Sequence, residues 1–141
     1  MLRQAQDGRL FEHTVRVYWE DTDAGGIVFY ANYLKFFERA RTEWLRSLGL
    51  NQSELRESSG GFFVVSETSL RFLRPARLDD ELLVTATLVE AGRASLIIAQ
   101  QASMKRGGAL LCEGTIRIGW VEAQRLRPAR IPPIILKALE Q

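Results

Sequence analysis

The chain has 141 residues, a formal net charge of +2, a single histidine and a single cysteine, and its length suits one domain spanning residues 1–141. No stretch approaches the ~18 consecutive apolar residues of a membrane span, the polar segment from Met1 to Arg9 lacks the apolar core of a signal peptide, and one cysteine excludes an internal disulfide framework. A cytoplasmic protein is expected. The arginines of the second half, among them Arg71, Arg74, Arg77, Arg93, Arg117, Arg125, Arg127 and Arg130, are scattered between elements. A nucleic-acid binder would cluster them with exposed aromatics; spread out, they suit a solvated rim, with a phosphorylated ligand as the sharper alternative.

The first element is a strand over His13–Trp19, where alternation sets Val15, Val17 and Trp19 on one face. A polar loop from Glu20 to Asn32 follows, with two acids, Asp21 and Asp23, and the pair Gly25-Gly26. The longest helix is expected over Tyr33–Leu48, where Tyr33, Phe36, Phe37, Ala40, Trp44 and Leu48 recur at three- and four-residue spacing, and Leu34 and Leu45 widen the stripe. Asn32 is placed to cap it and Gly49 to end it. At ~1.5 Å per residue it is about 24 Å long. A helix this aromatic needs a sheet large enough to wrap it.

A short polar segment, Asn51 to Ser59, has room for one or two helical turns before Gly60-Gly61 breaks it. Four strands are expected beyond: Phe62–Leu73, with Phe62, Val64, Leu70 and Phe72 sharing a face; Glu81–Glu90; Ala94–Met104, with Leu96, Ile98, Ala102 and Met104 sharing a face; and Ala109–Val121, with Leu110, Cys112, Ile116, Ile118 and Trp120 inward. Lys105-Arg106-Gly107-Gly108 reads as a hairpin turn. Arg125 to Ile131 reads as irregular, and Pro132 or Pro133 as the start of a short helix ending near Leu139. The fold class is α+β: a curved antiparallel sheet of about five strands around one long central helix. Such a sheet has open edges, and strand pairing between copies is the simplest cover, so a homo-oligomer is expected.

The chemistry-bearing candidates are few. Asp21-Thr22-Asp23 with Gly25-Gly26 superficially resembles a calcium loop, but its fifth position is Gly25 and its twelfth is Asn32. His13 and Cys112, each alone of its type, leave no metal site. His13 reads as an edge residue and Cys112 as inert core. There is no Gly-x-Ser-x-Gly elbow, no second histidine for a triad, and no phosphate-cradling glycine motif. What remains is a pair of loop carboxylates before a helix start, where backbone N–H groups are free. On their own, Asp21 and Asp23 also suit turn formation.

The run from Val15 through Tyr33, with its core Glu20-Asp21-Thr22-Asp23-Ala24-Gly25-Gly26, continues through Phe36-Phe37-Glu38-Arg39-Ala40-Arg41-Thr42-Glu43. Together with Phe63-Val64-Val65 and Pro75-Ala76-Arg77-Leu78-Asp79-Asp80, it resembles the hotdog-fold acyl-CoA thioesterases. The resemblance is to the YbgC-like enzymes associated with the Tol-Pal system, within the 4-hydroxybenzoyl-CoA thioesterase family. It implies a hotdog fold and hydrolysis of a thioester to a free acid and coenzyme A, the latter being part of the substrate, with no other cofactor and no metal.

Residue by residue, the resemblance makes Asp23 the general base or nucleophile and the Tyr30 backbone N–H the oxyanion donor. It makes Asp21 structural. Gly25 and Gly26 would let the substrate approach the backbone closely, and Glu38 would form a polar wall of the acyl pocket. Arg93 and Arg127 match positions that hold coenzyme A phosphates. The substrate would be an acyl-CoA or an acyl-carrier-protein thioester, and the acyl group would enter between the long helix of one subunit and strand Phe62–Leu73 of a neighbour. A homodimer or homotetramer is implied, as is peripheral association with Tol-Pal or the inner membrane. The alternative is a non-catalytic acyl-CoA or acyl-carrier-protein binder serving as a scaffold at the inner membrane face. Many YbgC-like enzymes carry histidine where this chain has Tyr30, while the hydroxybenzoyl-CoA branch carries tyrosine there. The departure bears on substrate class more than on reaction.

Overall fold

A computed structural model describes residues 10–140; the N-terminal segment from Met1 to Arg9, where the sequence shows no apolar core, lies outside them. The described chain forms strand β1 (Phe11–Arg16), helix α1 (Tyr33–Ser47), helix α2 (Gln52–Ser59), strands β2 (Gly61–Phe72), β3 (Glu81–Ala91), β4 (Ser95–Met104) and β5 (Leu110–Glu122), and helix α3 (Pro133–Leu139). The strands make one antiparallel sheet in the order β1-β3-β4-β5-β2, so β1 and β2 are its edges. The architecture is the α+β hotdog arrangement expected from the sequence. No helix among the described residues is long and apolar enough to cross a membrane.

The apolar stripe of α1 explains its seat. Tyr33, Phe36, Phe37, Ala40, Trp44 and Leu45 are buried, and the helix lies across β1, β3 and β4. Opposite them stand Val15 and Val17, Leu82, Val84 and Ala86 of β3, and Leu96, Ile98 and Ala102 of β4. Full burial of one such side chain contributes roughly 1.5–3 kcal/mol. Gly49 ends the helix with φ +84°, and the Leu50 N–H donates back to Leu45 O, a Schellman-type closure.

Several expectations shift. The first strand stops at Arg16 rather than running to Trp19, because Asp21 turns its carboxylate back onto the Tyr18 N–H at 2.8 Å. Trp19–Asp21 is a 3-10 turn, and Trp19 is 80% exposed instead of inward. Asn32 precedes α1 but does not cap it, since its side chain is engaged elsewhere. Leu34 is exposed. Glu43 pairs with Arg46 on the exposed side of α1.

Two bulges change which residues face inward. In β2 the register shifts between Val65 and Glu67. Directly opposed residues of an antiparallel pair share a face. Phe63 stands opposite Trp120, Val65 opposite Ile118, Leu70 opposite Gly114 and Phe72 opposite Cys112. The inward face of β2 therefore carries Phe63, Val65, Leu70 and Phe72, while Phe62 and Val64 turn away. One extra residue reverses the alternation. In β5 a shift leaves Leu111 unpaired against β4 and buried, where Leu110 was expected. On β4 the inward series includes Gln100, which is fully buried.

Candidate active site

The loop Glu20–Asn32 is held by backbone hydrogen bonds before any side chain acts. Thr22 and Val28 form a bridge, Asp23 N–H donates to Ile27 O at 2.8 Å, and Gly26 N–H donates to Asp23 O at 3.0 Å. Gly26 takes φ +81°, a conformation that disfavours residues with a Cβ. The loop is tied outward as well. Val28 N–H donates to Ala76 O, and Leu78 N–H to Gly26 O. The site is thereby fixed beside the turn that opens β3.

Asp21 and Asp23 have opposite environments. Asp21 is 4% exposed; its carboxylate accepts from Tyr18 N–H, and its carbonyl accepts from Phe29 N–H and from the Asn32 side-chain amide at 2.8 Å. That makes it the structural acid of the pair. Asp23 is exposed. Its Oδ1 accepts from Gly25 N–H at 2.8 Å and, at 3.4 Å, from Ile27 N–H. Its Oδ2 has no partner among the described residues and is open to a reacting group. A Cβ on Gly25 would stand 3.2 Å from Asp23 Oδ1, while one on Gly26 would meet open space. The glycines thus serve the turn and the Asp23 carboxylate.

Tyr30 opens a short 3-10 turn, Tyr30–Asn32, that runs directly into α1. As the first residue of that turn it has no intrahelical acceptor, and its N–H meets none elsewhere among the described residues. Asn32 was not singled out by sequence except as a cap. Its bond to the Asp21 carbonyl instead ties the helix start to the acidic loop, and so sets Tyr30 relative to Asp23. The only local signal was an Asn after an aromatic run, which capping explained just as well.

Along the trough between α1 and β2 lie two separate cavities, one toward each end, with no lining residue in common. The end beside the loop, of about 260 Å³, is lined by Ile27, Val28, Tyr30, Tyr33, Phe72, Leu73, Arg74 and Pro75. Tyr30 packs edge-on against Phe72 with ring centroids 5.9 Å apart, and Tyr33 meets the same ring at 5.8 Å. The Tyr33 hydroxyl is buried without a hydrogen-bond partner among the described residues. Burial pushes its pKa up, and the nearby Ala76 backbone N–H works against that without reaching hydrogen-bond geometry.

The other end, of about 170 Å³, is lined by Glu38, Arg41, Thr42, Leu45, Gln52, Phe63, Val64, Val65 and Ile118. Glu38 thus sits at the far cavity rather than beside Asp23. Arg41 is buried, and its Nη1 donates to Gln100 Oε1 at 3.0 Å. The Gln100 amide donates to the carbonyls of Phe37 and Thr85, each at 3.1 Å. Burial lowers the Arg41 pKa, and the charge of Glu38 acts in the other direction.

Arg93 and Arg127 are exposed and lie far from this loop. Arg93 follows β3, whereas the Asp23 loop is tied to the turn before it; along the strand that is roughly 30 Å. Arg127 O accepts from Glu122 N–H, and Glu122 stands opposite Gly61, at the end of β2 remote from Phe72. One chain therefore does not bring either arginine to Asp23.

A family model described as the thioesterase-like superfamily matches residues 17–139. The chain is 39% identical over 122 residues to the acyl-CoA thioesterase YbgC of Haemophilus influenzae, covering 86% of this chain and 88% of that protein. Among solved structures, a probable thioesterase from Bartonella henselae superposes with a TM-score of 0.80 at 32% identity, over 87% of this chain and 99% of that one. A 1,4-dihydroxy-2-naphthoyl-CoA thioesterase from Synechocystis, 23% identical, superposes with a TM-score of 0.86 over 94% of this chain and 96% of that one, and shares the fold.

Proposed function

This chain belongs to the thioesterase-like superfamily and is a thioester hydrolase, and on that premise we propose that it hydrolyses acyl-CoA thioesters with Asp23 as the reacting carboxylate and the Tyr30 backbone N–H as the oxyanion donor. The observation that carries this is the pairing of two unengaged groups on one tethered loop. Asp23 Oδ2 and Tyr30 N–H both lack partners among the described residues, and Tyr30 and Ile27 of the same loop line an aromatic-walled cavity.

The chemistry follows from those two groups. With the thioester carbonyl oxygen on the Tyr30 N–H, negative charge that develops there meets a donor already in place. Asp23 either takes a proton from water as the water oxygen attacks the carbonyl carbon, or attacks that carbon itself. The C–S bond then breaks, the sulfur leaves as coenzyme A thiolate and takes up a proton, and the acyl group leaves as a carboxylic acid. In the direct-attack route water afterwards cleaves the anhydride. Asp23 Oδ1, held by two N–H donors, orients the carboxylate for either route.

The two arginines bear on assembly. Edge strand β2 exposes Val65, Phe72 and, just beyond it, Leu73. Antiparallel pairing of two β2 edges about a two-fold axis sets the Gly61 end of one copy against the Phe72 end of the other. In such a dimer the partner's Arg93 and Arg127 approach this chain's loop, where they would hold the coenzyme A phosphates, and the trough of each copy is closed.

Thiol release from coenzyme A thioesters of graded acyl length, read with a chromogenic thiol reagent, tests the reading. Hydrolysis with saturation kinetics is expected from a dimer or larger assembly in sedimentation. Binding of acyl-CoA without thiol release would favour a scaffold protein instead.

A further inference from the structure

Glu38, Arg41 and Thr42 share one face of α1 and have no part in the chemistry at Asp23. Arg41 is 9% exposed. Of the five N–H donors of its guanidinium, one is used by Gln100, and no carboxylate lies within ion-pair distance among the described residues. The rest of the group borders the ~170 Å³ cavity at the end of the trough remote from Tyr30. A buried cation left without partners is costly.

Glu38 borders the same cavity. Its Oε2 accepts the Thr42 hydroxyl at 2.7 Å, and Thr42 Oγ1 in turn accepts from the Gln52 amide at 3.4 Å. Its Oε1 has no partner among the described residues. Both charged groups are therefore held from behind, Arg41 by Gln100 and Glu38 by Thr42, and each keeps a free hydrogen-bonding position. Between the two cavities the inward face of β2 offers Val65, Leu70 and Phe72, with Thr68 among them opposite Ile116, a mainly apolar path.

We infer that the Arg41–Glu38 cavity receives the far end of the acyl group and selects acyl chains that carry a hydroxyl there, an inference that rests on the acyl-CoA hydrolase reading above. A hydroxyl accepts from Arg41 and donates to Glu38, so both partners are satisfied. An alkyl end leaves the guanidinium donors that Gln100 does not use without an acceptor. A carboxylate end suits Arg41 but faces the charge of Glu38. Length follows from the helix. Tyr30, whose N–H receives the carbonyl, precedes Arg41 through the 3-10 turn and two turns of α1, about 18 Å along the axis, and an extended alkyl chain advances about 1.3 Å per bond. The matching acyl group is roughly fourteen carbons long.

The test compares kcat/KM of the full-length protein for tetradecanoyl-CoA, ω-hydroxytetradecanoyl-CoA and tetradecanedioyl-CoA. The hydroxyacyl substrate is expected to be preferred about tenfold or more over tetradecanoyl-CoA, as a site built around a hydroxyl rejects an analogue lacking it. In Arg41→Met and in Glu38→Met, which removes the acceptor oxygens, the preference should fall to about twofold or less, a readout that loss of packing alone does not produce. Glu38 is exposed, so its variant keeps the inference testable where Arg41→Met does not fold. Equal rates on the three substrates, a preference for the diacid, or a preference that survives Glu38→Met would overturn it. Hydrolysis of none of the three would overturn the thioesterase reading itself, and the inference with it.

Discussion

The two flanks of α1 differ in kind. Toward β1, β3 and β4 the helix buries Phe36, Phe37 and Ala40 completely, and its one polar contact there, through Gln100, is satisfied on every side. Toward β2 the same helix meets a trough whose apolar walls, Phe72 and Val65 among them, are half open, whose buried Tyr33 hydroxyl has no partner, and whose arginine has donors to spare. The closed flank fixes the fold. The open flank is left unfinished in a single chain, and that is where a substrate and a second copy can add contacts.

Paired truncations sharpen this difference most. Phe37→Ala on the closed flank should lower unfolding free energy by about 3–5 kcal/mol, measured by urea denaturation. Phe72→Ala on the open flank should cost about 1 kcal/mol or less while raising KM for acyl-CoA. Equal stability losses would mean that the trough is part of the core.

A smaller effect tests the polar side of the same contrast. Tyr33→Phe removes a buried hydroxyl that makes no bond, so stability should rise or stay level, by about 1 kcal/mol at most, in the same denaturation experiment. A clear loss would show that the hydroxyl has a partner in the folded protein.

The closed flank was the legible part. Three- and four-residue spacing of large apolar residues has one solution, and α1 follows it to within a residue. Strand number, order of elements and the sheet-around-helix arrangement followed from alternation and turn residues. The open flank was less legible for physical reasons. A single bulge after Val65 inverts the inward face of β2, and no residue type announces a bulge at Ser66. Trp19 looked inward by alternation, but Asp21 ends the strand through its own carboxylate first. Gln100 is polar at an inward position, and composition gives no sign that Arg41 is there to match it. The acidic loop stood out because its residue types are chemical. The resemblance set Asp23 apart from Asp21, and the fold supplies the physical difference, one carboxylate turned inward onto the backbone and the other open.

The most direct measurement is the rate of thiol release by Asp23→Asn beside the unaltered protein on an acyl-CoA both bind. Asparagine keeps an oxygen that can accept from Gly25 N–H, so the loop should hold and the unfolding midpoint should not move. The expected result is a kcat lower by about 10²–10⁴-fold with KM changed little. Turnover within about twofold of the unaltered protein, with the fold intact, would contradict the assignment of Asp23 as the group that acts on the thioester.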